Sequence, residues 1–268
     1  MNKHVLITGG SNGIGRSMVY HFAQAGYTVW FTYRQGKQRA QEILDELADF
    51  DVQAFPFSQG DWDSHQALLE MLPGPVDILI NNAALGSATV NAYVPERHLQ
   101  DQALFQVNVV GTVWLTEALL PAMLQQGYGK VIIMSSVGGI NQFPAFRLSD
   151  DMSKAALAFM GKQLAAEHCH SPVDVFTICP GATETAMFEA STLNQLSDEE
   201  RVRFENKLPK KRLIQPEEIA KLALFLCRDE ASVLHGAVLD ASLGLGVHPG
   251  LITGPTTETL KPREPVLC

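Results

Sequence analysis

The chain has 268 residues and a mass of 29.3 kDa, enough for one sizeable core. Its 20 Lys and Arg against 29 Asp and Glu leave a formal charge of −9 with no basic cluster, which argues against nucleic acid as a partner. Charged residues make up 18%, below the roughly 25% of ordinary soluble domains, and this excludes a disordered, collagen-like or mucin-like chain.

The first apolar run, Val5-Leu6-Ile7, is too short for a secretory signal, and no stretch of 18 apolar residues follows, so neither export nor a membrane span is expected. Four cysteines, at 169, 179, 227 and 268, lack C-x-x-C spacing and fit a reducing, cytoplasmic setting. Cys268 ends the chain, whereas a prenylation box needs its Cys four places from the end.

Short apolar runs alternate with longer amphipathic ones over residues 1–246, the pattern of repeated strand–helix units and a parallel sheet. Strands are expected at 4–8, 28–33, 52–57, 76–81, 130–135, 173–179 and 236–240, each a near-continuous apolar run as in strands covered on both faces. Ile14, Met18, Phe22 and Ala25 share one helical face that Gly26 ends, and further helices are expected at 36–49, 61–72, 97–125 and 150–168. Pro216-Glu217-Glu218 opens a helix whose apolar continuation to 226 belongs in a core or an interface. The polar stretch 185–212 reads as a lid carrying its own short helices, and 247–268, with four prolines, as an extended tail.

Directly after the first strand, Thr8-Gly9-Gly10-Ser11-Asn12-Gly13-Ile14-Gly15 opens onto a helix. Glycines there let backbone N–H groups and the helix N-terminus hold a pyrophosphate, although a plain tight turn capped by Ser11 or Asn12 is the simpler account of the motif alone. The second strand ends at Tyr33-Arg34, where NAD-selective sites place an acid, and no acid follows before Glu42. An arginine suits a 2′-phosphate, so NADP is favoured over NAD, with Arg16 and Arg34 the residues that bear on that choice.

These pieces, with Asp61, Asn81-Asn82-Ala83-Ala84, Asn108, MSSVGG at 134–139, Ser153-Lys154, PGATET at 180–185 and the run 212–232, occur in order, and the chain resembles the short-chain dehydrogenase/reductase family in its ketoreductase-like branch over 3–246. The resemblance implies a single α/β Rossmann-type domain of about seven parallel strands. It implies an NAD(P)-dependent oxidoreductase acting on a small polar C=O, C=N or C=C substrate. It also implies a cofactor cradle of Gly9, Ser11, Asn12, Gly13, Ile14, Gly15, Arg34 and Ala83, with Asp61 and Asn82 around the adenine and ribose and Pro180, Gly181 and Thr185 along the nicotinamide. A homodimer or homotetramer follows by the same resemblance, through helices 97–125 and 150–168 in one contact and 216–228 in another. Each residue has a plainer role open to it: Asp61 as a helix-start acid, Asn82 as a tie between strand ends, Pro180-Gly181 as a turn.

The family's catalytic tyrosine stands four residues before a lysine, assisted by a Ser and an Asn. Asn108, Ser136 and Lys154 match, but the tyrosine position falls on Asp150, or on Ser149 once the one extra residue between Ser136 and Lys154 is allowed for. Reduction of a carbonyl needs a proton donor, and an aspartate beside a lysine is ionised and shorter than a phenol. Asp150 then reads either as part of a helix start, with Ser149 capping and Asp150 paired to Lys154, or as a functional group binding a cationic substrate or acting as base. Tyr93, Ser136, Ser149 or a water could supply the proton instead, and a polarised C=C or C=N needs no strong acid. His168-Cys169-His170 at a helix end reads as a cationic C-terminus, with no metal site. A nucleotide-binding protein without redox turnover, as sensor, scaffold or partner subunit, and a non-redox enzyme using Asp150 as base are the rival readings.

Overall fold

The computed structural model describes residues 2–142 and 147–247, so the expected tail, beyond Val247, lies outside the described residues. Seven strands form one sheet: β1 His4–Ile7, β2 Thr28–Tyr33, β3 Val52–Pro56, β4 Ile78–Asn81, β5 Gly129–Met134, β6 Val173–Pro180 and β7 Val238–Ala241. All pairings are parallel, in the order β3-β2-β1-β4-β5-β6-β7, and each strand lies within two residues of its expected position.

Successive strand residues point to opposite faces, and both faces are dry. Val5, Ile7, Val29, Phe31, Ile78 and Ile80 pack on Met18, Val19 and Phe22 of α1 (Gly13–Gln24) and on Ile219, Ala223 and Leu226 of α10 (Pro216–Leu226). The alternate residues Leu6, Leu79, Val131, Ile133 and Val175 pack on Leu115, Leu119 and Met123 of α6 (Gly111–Gln125) and on Leu157 and Leu164 of α7 (Leu148–Glu167). Helices α2 (Lys37–Glu46) and α3 (Trp62–Met71) follow β2 and β3. The chain runs β1-β2-β3 to one side and then crosses to β4, which pairs in parallel with β1, so the connections leaving the C-terminal ends of these two strands run to opposite sides and a crevice opens between them.

The helix expected at 97–125 is interrupted. After the short α4 (Val90–Tyr93), α5 (Gln100–Phe105) passes into a single π turn, Gln106–Val110, before α6 begins. Arg97–Gln125 is long and apolar enough to cross a membrane by length and composition only, an 18-residue window of it having mean hydropathy 1.5, yet half of that window is buried in this fold.

The region 185–212 carries α8 (Ala186–Ser191) and α9 (Asp198–Lys207), with a 3-10 turn at Leu193–Gln195 between them and another at Pro209–Lys211 after α9. It has a small core of its own, Leu193, Leu208 and Leu213 with Phe188 and Phe204 against it. Ser197 and Glu200 cap α9 reciprocally, as do Gln215 and Glu218 for α10. Arg212 grips Glu218 at 2.6 and 2.8 Å, which holds that carboxyl down at about 2 and anchors the far end of the lid.

Candidate active site

A cavity of about 910 Å³ lies over the C-terminal ends of the strands, between the β1–α1 loop and the region 185–212. Its floor is set by close backbone approach: a side chain at Gly15 would collide with the Gly9 carbonyl, and one at Gly9 would press on Ala83 at 3.0 Å. Gly9 and Gly13 also hold positive φ, 69° and 51°, which L side chains resist. Asn12 caps α1 by accepting from Gly13 N–H at 2.8 Å, while among the described residues Ile14 and Gly15 N–H, at the positive end of α1, donate to no protein group. Ser11, Asn12, Gly13, Ile14, Gly15 and Ala83 all line the cavity beneath this cradle.

Asn82 lines the cavity too, but its amide is spent on the loop: Nδ2 donates to Thr8 O at 2.9 Å and to Gly9 O at 3.3 Å, while its backbone N–H donates to Thr8 Oγ1 at 2.9 Å. Asp61 departs from the expected place. It caps α3, accepting from Asp63 N–H at 3.2 Å, and does not line the cavity, whereas Gln59 does, donating to Ala83 O and Val107 O. An acid just before a helix satisfies first-turn N–H groups wherever it stands, so its presence after β3 does not by itself indicate a nucleotide contact.

One end of the cavity is cationic. Arg34 and Arg39 both line it beside Ser11, and Arg34 lies 4.4 Å above the Tyr93 ring. Sequence reasoning missed Arg39, although its place in the first turn of α2 was a readable signal. Arg16 is not at this end; it reaches Tyr20 and Glu46 outside the cavity. Glu42, the first acid after β2, accepts from Gln38 on the exposed side of α2. Tyr93, a candidate proton donor, belongs to the cationic end, its hydroxyl near Gly60 and its ring under Arg34.

The other end holds Ser136, Asp150, Asp151 and Lys154 with Pro180, Gly181 and Thr185. Ser136 Oγ accepts from Gly138 N–H at 3.1 Å, leaving its hydroxyl proton uncommitted. Burial lowers the Lys154 ammonium below its ordinary pKa, an effect that the Asp150 charge opposes. Burial raises the Cys179 thiol behind it to about 11, so no thiolate serves here. Thr185 caps α8 and packs against Gly13, so the lid begins beside the phosphate cradle.

Asn108 is fully buried and does not line the cavity. Its Oδ1 accepts from Leu85 N–H at 2.7 Å, and its Nδ2 donates to Leu85 O at 2.9 Å and to Ser153 Oγ at 2.9 Å. From the π turn it therefore ties the β4–α4 loop to α7.

The helix-start account of Asp150 holds in part. Asp150 and Asp151 do occupy the first turn of α7, but the N-cap is Arg147 and Ser149 turns to Asp101, donating at 2.6 Å. Among the described residues Asp150 makes no ion pair with Lys154. Its Oδ2 instead accepts from both the N–H and the hydroxyl of Ser87, each at 2.6 Å. At the other end of α7, His168 closes the helix through its backbone N–H to Leu164 and Ala165.

Comparison with known proteins agrees with this geometry. The short chain dehydrogenase family model matches residues 3–196. An acetoacetyl-CoA reductase of Rhizobium meliloti is 30% identical over 251 residues, 91% of this chain and 98% of that protein. The 3-oxoacyl-[acyl-carrier-protein] reductase FabG of Aquifex aeolicus is 31% identical over 249 residues, covering 91% and 97%. Among solved structures, an actinorhodin polyketide ketoreductase with NADPH superposes with TM-score 0.83 at 25% identity, over 91% of this chain and 97% of that one. A 3-ketoacyl-(acyl-carrier-protein) reductase of Brucella melitensis complexed with NADH gives 0.80 at 27%, over 91% and 98%. The chain is a member of the short-chain dehydrogenase/reductase family of NAD(P)-dependent oxidoreductases, with ketoreductase-like relatives.

Proposed function

We propose that this protein is an NADPH-preferring reductase with a modified proton-donor site, acting on a carbonyl substrate whose body lies under the lid. The observation that carries the reading is the pair Arg34 and Arg39 at one end of the cavity that holds Ser136 and Lys154 at the other. Two guanidinium groups beside the Ser11 hydroxyl match a 2′-phosphate, and no acid stands there to accept ribose hydroxyls. The open N–H groups of Ile14 and Gly15 and the floor at Gly9 fit a pyrophosphate between the two ends.

When bound, reduced nicotinamide supplies the hydride, and this chain's residues position the acceptor. The Ser136 hydroxyl is free to donate to the oxygen on which charge develops, and the Lys154 ammonium adds positive potential in a partly dry site. Asp150, held by Ser87, fixes the β4–α4 loop against α7 in place of a tyrosine contact. Met187, Phe188 and Phe204 face the cavity from the lid, which favours a substrate with an apolar portion beyond its reacting group. The 3-oxoacyl thioesters named for the relatives are the first class to test.

A homodimer or homotetramer is part of this reading, because Leu148, Met152 and Phe159 on α7 and Phe225 on α10 are exposed apolar groups at the expected contacts. A cytoplasmic setting accords with Cys169, Cys179 and Cys227 as free thiols. The rival reading, nucleotide binding without turnover, is favoured by Asp150 being engaged by Ser87. Following NADPH consumption with 3-oxoacyl thioesters separates the two. An Arg34→Ala, Arg39→Ala double variant should weaken NADPH at least tenfold and leave NADH unchanged. Equal effects on both cofactors would remove the arginines from phosphate recognition.

A further inference from the structure

Asp150 is committed to Ser87, but its neighbour is not. Asp151 also lines the cavity, is half-buried, and among the described residues its carboxyl makes no hydrogen bond or ion pair. A Cβ built on Gly138 would collide with Asp151 Oδ1 and lie 3.6 Å from Ser136 Oγ, so the carboxyl and the serine hydroxyl flank the same edge of the Val137–Gly139 turn. We propose that Asp151 is the catalytic proton donor, delivering its carboxyl proton to the substrate oxygen that the Ser136 hydroxyl holds. The inference rests on the oxidoreductase reading above and names the group that replaces the missing phenol.

Protonation is the requirement for a carboxylic acid in this role, and two features favour it. Burial, and then the Asp150 charge beside it, raise Asp151 to about 6. The other charged groups around the start of α7 are accounted for. Lys154 lies one turn on, and Cys179 of β6 stands behind that lysine. Asp101 of α5 is taken by Arg147 and Ser149, and Asp240 of β7 lies beside Gly246 and Asn141. The 3-10 turn of Val137–Gly139 carries no charge of its own. Reduced nicotinamide, when bound, would supply the hydride with its electron pair to carbon. The Asp151 O–H bond breaks, an O–H bond forms on the substrate, and the carboxylate takes a proton from water before the next turnover.

The test pairs a titration of the free protein with pH–rate profiles. In the nucleotide-free protein with 13C-labelled aspartate, one carboxyl resonance should titrate near 6 and vanish in Asp151→Asn. The parent's kcat/KM for reduction should fall about tenfold per pH unit above that midpoint, because only the protonated acid works. Asp151→Asn should lose about 100- to 10,000-fold in reduction with NADPH affinity kept, and Asp151→Glu should restore the pH limb in part. NADPH binding by both variants shows that they are folded. An Asp151→Asn variant with parental turnover and an unchanged pH limb, or an Asp151 resonance titrating near 4, would overturn the proposal and leave the oxidoreductase reading standing. A parent that binds neither nucleotide would bring down both.

Discussion

At the scale of single residues, the first turn of α7 carries the side chains on which the proposed chemistry turns, Asp150 and Asp151. Asp150, four residues before Lys154, accepts from both the N–H and the hydroxyl of Ser87. Asp150→Ala would leave a half-buried N–H and hydroxyl unpaired, a loss of about 1–3 kcal/mol in urea unfolding. Asp150→Tyr would free Ser87 and place a phenol beside Lys154, and ordinary ketone reduction gained in that variant would show the remaining site to be intact. The sequence could show that the tyrosine was absent but not which neighbour would engage Asp150, because Ser87 lies 63 positions away and meets it only through the fold. The same distance between sequence and contact explains Arg16, drawn to Glu46, 30 positions on, instead of the cavity.

At the scale of elements, the strands were legible because burial on both faces demands unbroken apolar runs, and α1 because its glycine loop and 3.6-residue stripe agree. The break in the helix at 97–125 was not legible. The π turn holds Asn108, whose three side-chain bonds reach Leu85 and Ser153, partners distant in sequence. Removing that amide orphans the Leu85 N–H and C=O in a dry setting. Asn108→Ala should cost about 2–4 kcal/mol in chemical denaturation, with turnover falling more than cofactor affinity, since the β4–α4 loop and α7 would lose their common anchor. An unchanged denaturation midpoint would show that the π turn is held by packing alone. The region 185–212, by contrast, was foreseeable as a polar interval with short helices, because a stretch of that length must satisfy its own backbone.

At the scale of the molecule, the order of the strands decides where chemistry can occur. The strand order reverses at the parallel β1–β4 pair, which opens the crevice, and the glycine-rich loop after β1, the two arginines and the Ser136–Lys154 end all converge on it. The same site leaves a signature in overall stability. A carboxyl raised in the folded state binds its proton more tightly there than in the unfolded chain. The stability it contributes is therefore complete below its unfolded value near 3.8 and is lost as pH rises through about 6. Replacing Asp151 by Asn should thus stabilise the protein at pH 8 by on the order of 1 kcal/mol, after allowance for solvent screening, and have no such effect at pH 4. Thermal unfolding at the two pH values reads this directly, and equal changes at both would place Asp151 in an ordinary surface environment.

The central claim is that one cavity holds a phosphorylated dinucleotide across its length. Titrating the purified protein with NADPH and, separately, NADH while following nicotinamide fluorescence tests it most directly. The account predicts micromolar binding of NADPH and at least tenfold weaker binding of NADH. Failure of both to bind at millimolar concentration would contradict it.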